Sequence, residues 1–224
     1  MSGVVIGETF RRHLTSLGFL TFAGFVCIVS LGFSQFNRPA SAWPTLIFIL
    51  ALIAGTGPIG PEFSAGTLQL ILVKPINRAV YLLSRVAGVV LSVWTVAIVA
   101  AACELAGRAL EDADLIFFAL VNSMAEVVLV VALLTLFASV VRAYYSVAVY
   151  LVLLVFCAAI PAMLQKRLPE FVLDAIKAVD NNLFPSRPAR FEPEFLLLIA
   201  CNAAIALLLA CLAFRRREVP YGAE

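Results

Sequence analysis

Apolar positions along this chain fall in long unbroken blocks instead of alternating with polar ones. Six such blocks cover residues 14–36, 43–59, 79–106, 115–140, 143–164 and 194–214. A hydrocarbon layer about 30 Å thick is crossed by about 20 helical residues rising 1.5 Å each. The blocks therefore predict six transmembrane helices. Helices are preferred over strands because the runs are continuous and lack the alternation of about ten residues seen in barrel strands. The second block is the shortest, and Gly55, Gly57 and Pro58 near its end predict a break. The expected fold is all-α and integral to the membrane, one transmembrane domain over 1–224.

Three amphipathic pieces lie outside the blocks. Ile6, Phe10, Leu14 and Leu17 recur at helical spacing, with Glu8, Arg11, Arg12 and Thr15 on other faces. They predict a helix lying in the membrane interface before the first span; the alternative is a simple extension of that span. Within the loop 165–193, Phe171, Val172, Ala175, Ile176 and Val179 share a face after Pro169, which predicts a short helix resting on the membrane surface or on the span tips. The Pro-rich stretch after it reads as irregular. The third piece, at 62–74, joins the second and third spans. Glu62 after Pro61 suits the positive end of a helix, Phe63, Gly66, Leu70 and Val73 share a face, and Pro75 stops it.

Composition agrees with lipid as the solvent: 63% of residues are hydrophobic and 13% are charged, too much apolar surface for one soluble core. The first apolar run is too long for a cleavable signal and reads as a retained helix. Charge placement suggests orientation. Arg11, Arg12, Lys74, Arg78, Arg85, Arg142, Arg215, Arg216 and Arg217 fall on one side; Arg38, Arg108, Lys166, Arg167, Lys177, Arg187 and Arg190 fall on the other. Five of the latter lie in the loop 165–193, so the short connections and the basic tail decide for both termini in the cytoplasm. All five cysteines sit in apolar runs and read as small buried hydrophobes. No cysteine pair has metal-ligand spacing and His13 has no companion ligand, so neither metal nor cofactor is expected on this chain. No nucleic-acid partner is expected.

The segment Glu62-Phe-Ser-Ala-Gly66-Thr67, running on to Pro75 and Arg78, resembles the signature of membrane permeases in the ABC transporter type-2 exporter family. The six spans, the basic stretch before the first and the terminal AFRRRE (residues 213–218) are similar to that family too. Lys74 directly before Pro75, and Ile76-Asn77 after it, depart mildly from the pattern. The resemblance implies a coupling helix at 62–74 that docks in a groove on a separate ATP-binding subunit, which holds the ATP and Mg. Glu62, Phe63, Gly66, Thr67, Leu70, Pro75 and Arg78 would make or shape that contact. It also implies pairing with a second permease copy or a related chain, in the plasma (inner) membrane, to form an export pathway. The sequence contains no phosphate-binding loop: Gly55 and Gly60 have the right spacing, but Pro61-Glu62 follows where Lys-Ser/Thr is needed.

Polar residues inside the blocks are a second source of candidates. Glu126 sits mid-span, with Asn122 and Ser123 one turn earlier on the same face. An ionised carboxylate there costs at least about 2.5 kcal/mol, so the patch should face a protein interface or a hydrated cavity. Asn202 lies beside Ala203, Ala206, Ala210 and Ala213, small residues spaced for close helix approach. Glu104 is expected to reach headgroup water, Arg85 to snorkel, and Trp43, Tyr144 and Tyr145 to lie in interfacial belts. Two further functions fit the same residues: a proton-coupled secondary transporter using Glu126, and a non-transporting membrane anchor for an ATPase.

Overall fold

The computed structural model describes residues 2–35, 42–56, 77–107, 113–141, 143–164, 169–183 and 192–216. They form eight helices and no strand. These are α1 Gly3–Thr15, α2 Leu17–Gln35, α3 Trp43–Gly55, α4 Arg78–Gly107, α5 Ala113–Val140, α6 Ala143–Leu164, α7 Glu170–Leu183 and α8 Pro193–Arg216. Three of them, α4, α5 and α8, are long and apolar enough to cross a membrane, and α1 with α2 makes a fourth if that bent pair is one span. The six-span expectation is met only to this extent. At 1.5 Å per residue, the 13 residues of α3 reach roughly 20 Å, short of a hydrocarbon layer. The stretch Tyr145–Cys157 of α6 is likewise a shorter apolar helix.

Helices α4 and α5 are the centre of the bundle. α4 packs against α1, α2, α3, α5 and α8, and α5 against α3, α4, α6 and α8. Their inward sides meet through Val89, Val93, Ala97 and Ala100 on α4 and Val127, Val130, Val131 and Leu134 on α5, joined by Ile47 and Leu50 of α3. Trp94 adds a polar tie, its indole N–H donating to the Met124 carbonyl at 3.0 Å. Hydroxyls within these apolar helices turn back on their own backbone. Ser92 Oγ donates to the Gly88 carbonyl at 2.9 Å, Thr135 Oγ1 to Val131 at 2.7 Å and Ser30 Oγ to Val26 at 2.9 Å. A hydroxyl satisfied in this way carries little penalty in an apolar surrounding.

The expected small-residue stripe on α8 is present. Ala203, Ala206 and Ala210 are buried, together with Ile199 and Phe214, and α5 is the most extensive neighbour of α8. The opposite side exposes Leu197, Ile205 and Leu208. Large apolar side chains also face outward on α2, α5 and α6, including Ile28, Phe117 and Val152. An outer surface of this kind suits lipid and is too apolar for water.

α1 and α2 meet at a bend of 70°. Ser16 causes it: its backbone is extended, at φ −72° and ψ 123°, and its N–H closes the end of α1 onto the His13 carbonyl. α1 is thus a helix in its own right and not a simple extension of the first span. Three of the four residues of its expected face, Ile6, Phe10 and Leu14, are half-buried. Thr9 is buried at the centre and Val5, Ile6 and His13 are half-buried, whereas Leu17 belongs to α2 and is exposed. α7 is also present, lying against α6 and α8. Leu173 is its buried residue, with Val172 and Ile176 half-buried, while Phe171, Ala175 and Val179 of the expected face are exposed.

Candidate functional site

Helices α3 and α4 flank the segment 57–76, which contains the whole 62–74 candidate helix. Glu62, Phe63, Gly66, Thr67, Leu70 and Pro75 lie outside the described residues, as do Arg142, Arg217 and most cations of the loop 165–193. Arg78 is described and is the first residue of α4. Asn77 caps that helix: its Oδ1 accepts from the Ala79 N–H at 3.0 Å and its carbonyl accepts from the Tyr81 N–H at 3.0 Å. The chain therefore enters α4, a helix seated in the middle of the bundle, through a capped first turn.

Three clusters of polar side chains lie within the helical bundle. The first is the α5 patch. Asn122 and Ser123 are buried and Glu126 is half-buried. Ser123 Oγ has no hydrogen-bond partner among the described residues. Tyr150 of α6, also buried, is close enough to Glu126 for their charges to interact, and its ring lies 6.2 Å from that of Phe48 on α3. Glu126 thus lies where α5 and α6 meet. Asn202 is half-buried on α8.

The second cluster replaces two expectations. Glu104 does not reach headgroup water and Trp43 does not stand in a lipid-facing belt; both are 0% exposed. The Trp43 indole N–H donates to Glu104 Oε2 in a short hydrogen bond, which ties the start of α3 to the end of α4. A carboxylate in an apolar layer is stabilised by such a donor, and burial against α3 keeps it out of lipid. Nearby, Cys27 of α2 and Cys103 of α4 share a side-chain hydrogen bond. All five cysteines are free thiols, and Cys201 is exposed on α8, contrary to the expectation of burial.

The third cluster joins α1 to α4 and corrects the reading of Arg85. Arg85 does not snorkel: it is only 5% exposed and donates to Thr9 Oγ1 at 3.0 Å, with its guanidinium 5.9 Å from the Tyr81 ring centre. Thr9 Oγ1 itself donates to the Val5 carbonyl at 2.8 Å, so its remaining lone pairs are turned to the guanidinium. One residue earlier, Ser84 Oγ donates to Val80 at 2.8 Å and accepts the Ser2 backbone N–H at 2.9 Å. Gly88 completes the seat. A Cβ there would stand 2.6 Å from Thr9 Cβ and 3.0 Å from the Ile6 carbonyl oxygen, so only glycine lets α1 lie this close.

The sequence patterns singled out the α5 patch but missed the other two clusters. Gly88 inside an apolar run was the available signal for the α1 seat. Among the described residues, no group of three or more His, Cys, Asp or Glu side chains is placed to hold a metal ion. No protein-family model matches this chain, and a search of curated proteins finds no match either.

Proposed function

We propose that this chain is the membrane permease subunit of an ATP-driven exporter, with six spans, both termini in the cytoplasm and α1 lying along the inner membrane surface. In this reading the shorter helices α3 and α6 complete their crossings in company with the bundle. Two copies, or one copy and a related permease, enclose the pathway, and two ATP-binding subunits dock beneath it. The observation that carries the reading is the run Glu62, Gly66-Thr67, Pro75 and Arg78, placed between two apolar helices that pack on each other and on the bundle centre. On this reading the amphipathic segment 62–74 would be a short helix between two such helices, well placed to pass force into them. The side chains named for that role are Glu62, Phe63, Gly66, Thr67, Leu70, Pro75 and Arg78.

Gly66→Cys tests this directly. Co-expressed with an ATP-binding subunit, such as one that a neighbouring reading frame encodes, the variant should crosslink to a cysteine placed in that subunit's docking groove. Absence of any crosslink along 62–74, with both proteins present in the membrane, overturns the reading.

A second reading has one specific observation behind it: Glu126, half-buried beside Tyr150, is a carboxylate with some access from outside the bundle. As a proton-carrying site it would drive transport from a proton gradient without ATP, and Glu126→Gln would abolish that transport. A membrane anchor without transport would retain the crosslink but show no cargo-stimulated ATP hydrolysis.

A further inference from the structure

We propose that α1 is a pH-gated latch, in which protonation of His13 weakens the seat of α1 on α4 and lets α1 swing about Ser16. The inference does not depend on what the protein transports or on any ATPase.

The seat is polar, tight and one-sided. It consists of Ser2 on Ser84, Thr9 on Arg85, and the backbone of α1 against Gly88. His13 lies one turn beyond Thr9 on the same side of α1 and is half-buried, its ring 5.8 Å from that of Phe19. The groups that face it from its three surrounding elements are Arg12 on α1 itself, Arg85 on α4 and the uncharged Phe19 ring on α2. Both charged groups are cations. A proton on His13 would therefore add a third positive charge beside a guanidinium that is already buried.

Burial first, then Arg85, then Arg12 hold the His13 imidazole below its ordinary value. An undocked α1 would carry a histidine near the usual value of about 6.5. The undocked form then binds the proton more readily. Docking is fully stable above about pH 6.5 and weakens as pH falls below it, until the docked histidine also titrates. Arg85 is buried and held between Thr9 and the Tyr81 ring, so it has little room to move away from the added charge. Ser16, extended and outside both helices, is the joint at which α1 yields.

The test uses the full chain in nanodiscs of zwitterionic lipid. Hydrogen–deuterium exchange, corrected for the intrinsic pH dependence of amide exchange, is followed between about pH 7.5 and about pH 5.5. Peptides from α1 should lose protection at the lower pH while those from α4 and α5 keep theirs. His13→Gln should keep α1 protected at both pH values, and His13→Arg should show the loss at both. His13 is the only histidine, so its imidazole can also be titrated by NMR in the unaltered chain. Its midpoint should lie below about 6.5 and inside the pH range over which α1 loses protection. The proposal is overturned if α1 protection does not change with pH, if the change survives in His13→Gln, or if the imidazole titrates at or above the ordinary value. Should either variant fail to fold, shown by lost protection in α4 and α5, the titration and exchange of the unaltered chain still decide.

Discussion

Glu104 and Gly88 are the two positions where one side chain decides how two helices meet. Glu104→Ala would leave the Trp43 indole N–H buried without its acceptor, at a cost of about 1–3 kcal/mol. Glu104→Gln keeps an acceptor oxygen and should lose less. Thermal unfolding in detergent gives the ranking, and a shift of Trp43 emission, read in a Trp94→Phe background, should accompany the alanine variant. Gly88→Ala should unseat α1, because the added methyl meets Thr9 and a backbone carbonyl and not a flexible side-chain tip. Overpacking of this kind costs about 1–3 kcal/mol, and faster proteolysis within α1 would report it. Neither pairing was legible in the sequence. Trp43 and Glu104 are 61 positions apart, and Thr9 and Arg85 are 76 apart. Periodicity reads neighbours one turn away; it does not say which distant helix supplies a partner for a charge. The reasonable default for a cation or carboxylate near a helix end was water, and tertiary packing overrode it in both cases.

At the scale of elements, apolar continuity was a good guide. α4, α5 and α8 begin and end within a few residues of the blocks 79–106, 115–140 and 194–214. Spacing also found most of the face of α8: Ala203, Ala206 and Ala210 are buried there with Ile199 and Phe214, and Ala213 is half-buried. Ala206→Phe should force α5 and α8 apart and lower the unfolding temperature in detergent, with a cost of about 1–3 kcal/mol. Ala204→Phe, on an exposed position of the same helix, should leave it nearly unchanged. Spacing succeeded less well on α7, whereas on α1 only Leu17 of the expected face is exposed. α7 is a short helix with apolar residues on both its bundle side and its exposed side. Hydrophobicity does not distinguish these destinations, so Leu173 turns inward while Phe171, at 74% exposed, turns out. The break at Ser16 was equally silent, because serine is tolerated inside helices as well as between them.

For the molecule as a whole, the outward apolar surface of α2, α5, α6 and α8 agrees with a multi-pass membrane protein. The candidate site was legible only as a sequence pattern, because its central residues fall in 57–76. On the proposed reading, Glu126→Gln should leave ATP-driven export near its original rate, whereas a bulky residue at Gly66 should reduce it strongly. Both are measured as cargo uptake into inverted vesicles with ATP and a collapsed proton gradient. Uptake that needs the proton gradient, persists without ATP and is lost in Glu126→Gln would favour the proton-coupled alternative.

The longest helix is gripped twice, by α1 at position 85 and by α3 at position 104. Those heights are roughly 28 Å apart at 1.5 Å per residue. A rod clamped at two such levels by different neighbours cannot travel along its own length like a piston. On the proposed reading, a pull on its first turn would therefore load the α1 and α3 grips together.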